Sequence, residues 1–206
     1  MSRVSLPLRQ PTLADRLLGR GFGVDIVLIF TGVALVSIAA QVAIPHWPIP
    51  ITGQSIAVLL TGIALGPLRG AIAMALYAVG GAAGLPIFSF SSSGFDSITG
   101  QTGGYIIGFI GAAALVGWLA QRGWDRTPLR SIAAAAGGTA VIYLFGLPGL
   151  AIARSLSLEE TLEIGLYPLI VASAVELLIV AAVNTAAWAA IARMEKRDEQ
   201  RAARAL

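Results

Sequence analysis

The sequence predicts an all-α, polytopic membrane protein: a bundle of six transmembrane helices with both termini in the cytoplasm. Three observations carry that expectation. Of the 206 residues, 56% are hydrophobic and only 12% are charged, where soluble domains carry about 25% charged residues. Mean hydropathy is +0.80, so there is too little polar side chain to cover a water-facing surface. The apolar residues also fall into runs broken by glycine and proline, and the cations sort to one side of those runs. This excludes a soluble enzyme, a disordered tail and a nucleic-acid-binding module.

The runs follow in order. The first, Ile26–Ile44, is stopped by Pro45-His46-Trp47-Pro48-Ile49-Pro50. The second, Ser55–Gly66, and the third, Ala71–Leu85, are short, below the ~20 apolar residues that cross a bilayer unaided. A Ser/Gly-rich loop, Ile87–Gly103, precedes the fourth run, Gly104–Gln121. The fifth covers Ser131–Ala151 and the sixth Leu166–Arg193. The chain therefore reads as one domain over residues 1–206, with tails at 1–24 and 194–206. The first apolar run lacks a small-residue cleavage site after it, so no cleavable signal is expected.

Six spans sort the 14 cations almost completely. Arg3, Arg9, Arg16, Arg20, Arg69, Arg122, Arg126, Arg130, Arg193, Lys196, Arg197, Arg201 and Arg204 share one side. Arg154 alone stands on the other, beside Asp96, Glu159, Glu160 and Glu163. Positive residues concentrate on cytoplasmic loops, which places both termini inside. The sequence pI near 9.8 then reflects topology, with no nucleic acid implied. Glycines at four-residue spacing, Gly62/Gly66/Gly70, Gly80/Gly84 and Gly100/Gly104/Gly108, predict close helix–helix approach within the bundle.

Chemistry is sparse. There is no cysteine and one histidine, His46, so neither thiol catalysis nor a histidine metal cluster can be built, and no metal or cofactor is expected. No Walker sequence or Ser-His-Asp set occurs, so the chain reads as no enzyme. Glu176 is the one ionisable side chain well inside a span, about 15 Å from the outer end at the helical rise. An intramembrane acid normally faces the bundle interior or a watery cavity. Either it is a hydrogen-bonded structural glutamate, or it accepts hydrogen bonds from a ligand's N–H groups. Ser173 and Asn184 share its helical face. Two outer loops, Pro45–Gln54 with Trp47 and Ile87–Gly103 with Phe88, Phe90 and Phe95, suggest a lid over a small amphipathic ligand. Arg154 would be the partner for a ligand carboxylate, or a headgroup-facing arginine balancing Glu159 and Glu160.

Four segments resemble one family. These are Pro48-Ile49-Pro50-Ile51-Thr52-Gly53-Gln54, Gly66-Pro67-Leu68-Arg69-Gly70-Ala71, Gly84-Leu85-Pro86-Ile87-Phe88 and Gly100-Gln101-Thr102-Gly103-Gly104-Tyr105-Ile106-Ile107-Gly108-Phe109. Their order and spacing resemble the BioY family, the biotin-specific substrate-binding (S) components of energy-coupling-factor transporters. The resemblance implies a six-helix S component of the cytoplasmic membrane that binds biotin at its outer face. It also implies a transmembrane coupling protein and two cytoplasmic ATPases as partners, with an oligomer left open. The residues expected at the ligand are Glu176, Ser173, Gln54, Thr102, Tyr105, Arg154, Trp47 and Phe88. Three departures stand out. Gln101 replaces a proline of the family pattern, and Ser173 and Glu176 occupy the positions of an Asp-x-x-Lys pair. The first span carries Gly32 and Ala34 but no clean Ala-x-x-x-Ala docking pattern. Two alternatives stay open: the same fold with another heterocyclic vitamin or acid, and a membrane assembly subunit with no ligand.

Overall fold

The computed structural model describes residues 10–46 and 48–204. Among them the chain is almost wholly helical. Helix α1 (Leu13–Leu18) is a single amphipathic foot closed by a capping box, in which Thr12 and Asp15 bond each other's backbone N–H. It leads into α2 (Phe22–Gln41), whose 20 residues span about 30 Å. Its buried positions, Leu28, Gly32, Val36 and Ala40, recur every four residues. One narrow stripe therefore faces the protein, and Phe22, Val27, Phe30 and Ile38 are left exposed. That pattern suits a helix whose other faces meet lipid.

The first run was expected to stay helical to Ile44, but α2 stops at Gln41. Ala43–Ile44 (β1) and Ile51–Thr52 (β2) instead form a small antiparallel ladder, Ala43 opposite Thr52 and Ile44 opposite Ile51. Pro45, Pro48 and Pro50 explain the change, because proline offers no backbone N–H to a continuing helix. The hairpin returns the chain to α3 (Gln54–Leu65), a 12-residue helix that is buried along most of its length. Gly66, at φ +86°, ends α3 in a conformation that disfavours other residues. Pro67 then opens α4 (Pro67–Ala82). At 12 and 16 residues, α3 and α4 are shorter than a bilayer requires.

The long Ser/Gly segment is more ordered than a loop. It holds a 3-10 turn at Ser89–Ser91 and a short helix, α5 (Phe95–Thr99). Helix α6 (Gly103–Ala120) runs through the middle, packed against α3, α4 and α7 (Pro128–Arg154). A short α8 (Leu158–Gly165) connects α7 to α9 (Tyr167–Arg204), 38 residues long, so much of the expected C-terminal tail continues the last helix. Among the described residues four helices are long and apolar enough to cross a membrane: α2, α6, α7 and α9 over Tyr167–Arg197. This is an all-α membrane protein.

Glycine permits the central packing. A Cβ on Gly149 of α7 would lie 2.7 Å from the Gly104 Cα of α6, and one on Gly62 would lie 2.7 Å from the Ala113 Cα. Backbones this close gain dispersion and leave no room for a side chain. The spacing does not act uniformly, since Gly84 has nothing near it and serves a turn at φ +107°.

The basic end is tied by charge and by one buried acid. Arg69 reaches Asp15 at 2.8 Å and Asp25 at 2.6 Å, Arg20 reaches Asp15 at 2.9 Å, and Arg16 reaches Glu195 at 2.7 Å. Burial alone would push the Asp15 carboxyl up, but the Arg20 and Arg69 guanidiniums and the Thr12 N–H outweigh it and hold the group at about 2. Asp125, in the α6–α7 loop, is 2% exposed. Its carboxylate accepts from Trp188 Nε1 at 2.8 Å, and its carbonyl accepts from Asn184 Nδ2 at 2.7 Å. Arg126 stacks over the Trp188 ring at 3.5 Å. Burial pushes the Asp125 carboxyl above its ordinary value despite the Trp188 hydrogen bond and the nearby Arg126.

Candidate functional site

The opposite half of the bundle holds a partly open cavity of about 70 Å³, or about 710 Å³ when the space open to solvent at its mouth is counted. Helices α3, α6, α7 and α9 supply its walls, and the β1–β2 hairpin and the segment after α4 supply its cap. Apolar surface comes from Ile49, Phe88, Ile106, Phe109, Ile142 and Leu169, each below 9% exposed. Polar surface comes from Glu176, from the hydroxyls of Ser55, Thr139, Tyr143 and Ser173, and, nearer the cap, from Thr52, Gln54, Ser89 and Thr102. Concave apolar surface with a few convergent polar groups is the usual form of a small-molecule site.

Six of the eight residues expected at the ligand line this cavity: Glu176, Ser173, Gln54, Thr102, Tyr105 and Phe88. Several are also held by the protein itself. The Gln54 amide donates to the Tyr77 hydroxyl at 2.6 Å, and its Oε1 accepts from Thr52 Oγ1 at 2.9 Å. Phe88 packs edge-on against Tyr77 with centroids 5.2 Å apart, and its carbonyl accepts from Gln41 Nε2. The Tyr105 hydroxyl donates to the Gly165 carbonyl at 3.1 Å. Its ring fills the space that the missing side chain of Gly146 leaves. These residues fix the cap and the walls as much as they present surface to a guest.

Two expected residues do not join them. Arg154 stands exposed at the end of α7 and is not part of the lining, so a ligand carboxylate inside the cavity has no arginine to meet there. Trp47 lies outside the described residues. Asn184, read as sharing a polar face with Glu176, is used elsewhere: two turns further along α9 it binds the Asp125 carbonyl and Ser131 Oγ. One helix thus serves two separate polar clusters.

The residues that sequence reasoning missed are Ser55, Thr139 and Tyr143. Tyr143 meets Ser173 Oγ at 2.7 Å, and Ser55 is the hydroxyl partner of the Glu176 carboxyl. Thr139 Oγ1 is buried with no hydrogen-bond partner. A signal for α7 existed, because Thr139, Ile142 and Tyr143 fall at i, i+3 and i+4, on one helical face. The bottom of the cavity is therefore a carboxylate, three further hydroxyls and one hydroxyl whose bonding is incomplete. That set can accept N–H donors from a ring and return a donor to a carbonyl. Among the described residues no three His, Cys, Asp or Glu side chains form a group able to hold a metal ion.

Fold and site together define a membrane-embedded ligand-binding protein, with a capped cavity and one carboxylate at helix depth. The chain belongs to the BioY family, whose model matches residues 15–193. It is 35% identical over 147 residues to the probable biotin transporter BioY of Pyrococcus horikoshii, covering 71% of this chain and 85% of that protein. It is 37% identical over 119 residues to the biotin transporter BioY of Thermotoga maritima, covering 58% and 68%. The fold is similar to a crystal structure of the S-component for biotin from an ECF-type ABC transporter, at a TM-score of 0.67 and 20% identity. That match covers 78% of this chain and 88% of the other.

Proposed function

We propose that this chain binds biotin and serves in its uptake across the cytoplasmic membrane as the S component of an energy-coupling-factor transporter. The observation that carries the reading is the cavity: Glu176, Ser55, Ser173, Tyr143 and Thr139 converge beneath a hairpin cap on otherwise apolar walls. Biotin's ureido ring has two N–H donors and one carbonyl, and its remainder is apolar except for a terminal carboxylate. Glu176 takes the N–H groups, and a hydroxyl donates to the carbonyl.

In this reading the bundle has six spans, with α3 and α4 crossing beside the four longer helices. Protein, not lipid, satisfies their ends, which relaxes the length requirement. Both termini face the cytoplasm, as the distribution of arginines favours. The chain carries no nucleotide-binding sequence, so energy comes from a transmembrane coupling protein and two ATPases. Calorimetric titration of detergent-purified protein, stripped of endogenous ligand, tests the proposal. Saturable one-to-one binding of biotin is expected. Folded protein that binds no biotin would overturn it.

The second reading keeps the fold and changes the vitamin. It is favoured by Ser173 and Glu176, which stand where the resemblance implies an Asp and a Lys. Competition of labelled biotin against other N–H-bearing heterocyclic acids separates the two.

A further inference from the structure

The cavity that holds Glu176 has no arginine or lysine among its described lining residues. A negatively charged group drawn inside would lose its hydration, meet no counter-charge, and lie beside a carboxylate. Both effects oppose it. The one ionised group of the lining also sits within a cluster of hydroxyls. Glu176, Ser55, Ser173, Tyr143 and Thr139 are joined by contact or by helix register, and the orphaned Thr139 hydroxyl lies among them. Away from this group the lining passes to the loop residues Pro50, Ser89 and Thr102. There the Thr102 hydroxyl already donates to the Ser97 carbonyl. Among the described residues of the lining no charged side chain stands on that side to hold an anion.

Resting on the proposed biotin reading, we infer that this cavity selects the N–H-bearing ring of its ligand and is indifferent to the charge at the ligand's other end. Biotin esters and biotin amides, such as the amide formed on a lysine side chain, then belong to its ligand class. The carboxylate of free biotin stays at the loop side, in contact with water. Exposed charges there interact weakly and are screened. Glu176 is the specificity-determining residue, since it is the one group that requires donors.

The test is competition calorimetry on the full chain with four probes: biotin, biotin methyl ester, biotin amidated on N-acetyl-lysine, and biotin methylated on its ureido nitrogens. The ester and amide are expected to bind within about threefold of biotin, as removal of a solvated charge costs little. Ureido methylation is expected to weaken binding about tenfold or more, because it removes charge-assisted hydrogen bonds. Glu176→Gln, nearly isosteric and checked for folding by circular dichroism, lowers affinity for the acid and the ester by the same factor. A tenfold loss on esterification, with biotin itself still bound, overturns this inference alone. Retained affinity for the methylated ring, or a Glu176→Gln protein that shifts its preference to the free acid, also overturns it. If folded protein binds none of the four, the functional reading fails and takes this inference with it.

Discussion

The two ends of this bundle each bury an acid, and they treat it differently. Asp125 is surrounded by donors that belong to the fold: Trp188 Nε1 on its carboxylate, Asn184 Nδ2 on its carbonyl, and Arg126 beside it, stacked on Trp188. Glu176, at 9% exposure, has neutral hydroxyls around it, with Ser55 as its hydrogen-bond partner, and faces the cavity. At Asp125, Oδ2 accepts from Trp188, and Oδ1, buried with no hydrogen-bond partner, lies 3.4 Å from Arg126 Nε, so a cation of the fold stands beside the charge. Glu176 faces a cavity with no cation among its described lining residues, which leaves its carboxylate to a guest's N–H groups, at a cost in stability that the rest of the bundle offsets. The two clusters share α9, so the helix that carries the ligand-facing acid is pinned at its other end by the loop latch.

The comparison breaks most visibly if each acid is replaced and both stability and binding are measured. Asp125→Ala removes the acceptor for Trp188 and leaves Asn184 with a loosened loop. The expected loss is about 1–3 kcal/mol, which in a chain of this size lowers the unfolding midpoint by several degrees. Biotin affinity of the folded fraction is expected to stay the same. Glu176→Gln should do the reverse, keeping the midpoint and lowering affinity by about tenfold or more, the scale of a lost charge-assisted bond. Should Glu176→Gln unfold the protein while Asp125→Ala abolishes binding, the roles given to the two ends are exchanged.

Thr139 sharpens the contrast at smaller scale. Its Oγ1 has no partner within the protein, so Thr139→Val, which keeps the shape, should leave the midpoint unchanged or raise it slightly. If the ligand uses that hydroxyl, affinity falls by about two- to tenfold, the equivalent of one net hydrogen bond. An unchanged dissociation constant would move the ligand away from α7.

Much of this arrangement was legible in the chain, for reasons that can be named. The apolar runs and their Gly/Pro breaks mark the helices because a bilayer-length segment leaves a strong signal. Gly104 marks the α6–α7 crossing because only a missing side chain allows that approach. Glu176 was visible because a lone acid in an apolar helix has so few alternative roles. The hairpin at Ala43–Thr52 was not, since two-residue strands leave no periodicity and the prolines suggest only an irregular loop. Tyr143 and Thr139 were hidden for another reason. A neutral hydroxyl in a membrane helix can bond its own backbone, so its orientation depends on tertiary packing that one sequence does not contain. Asn184 shares the face of Glu176 but not its cavity, because helical phase gives direction around the axis and not depth. Eight residues beyond Glu176 it lies about 12 Å further along α9.

The smallest effect concerns pH, and it distinguishes two acids of the basic end, Asp15 and Asp125. The Asp15 carboxyl is held at about 2, below its ordinary value of 3.8, by Arg20, Arg69 and the Thr12 N–H acting against burial. Its ionised form is therefore favoured by folding. The stability it adds is present above about pH 4 and is lost as pH falls toward 2. Asp125 has the opposite sign, because burial raises its carboxyl. The stability from its protonated form is present at acid pH and is lost as pH rises through its folded value. Thermal unfolding of wild type and Asp15→Asn in an acid-stable detergent, stepped from pH 6 to pH 2, should show wild type more stable at the upper end. The gap is at most about 1 kcal/mol, since Arg20 is exposed and screened, and it closes as pH falls. Asp125→Asn should instead gain on wild type as pH rises through the Asp125 transition. If the Asp15→Asn gap is the same at pH 6 and pH 2, the Arg69 bridge does not hold an ionised Asp15, and α1 is anchored by Leu13 and Ala14 packing alone.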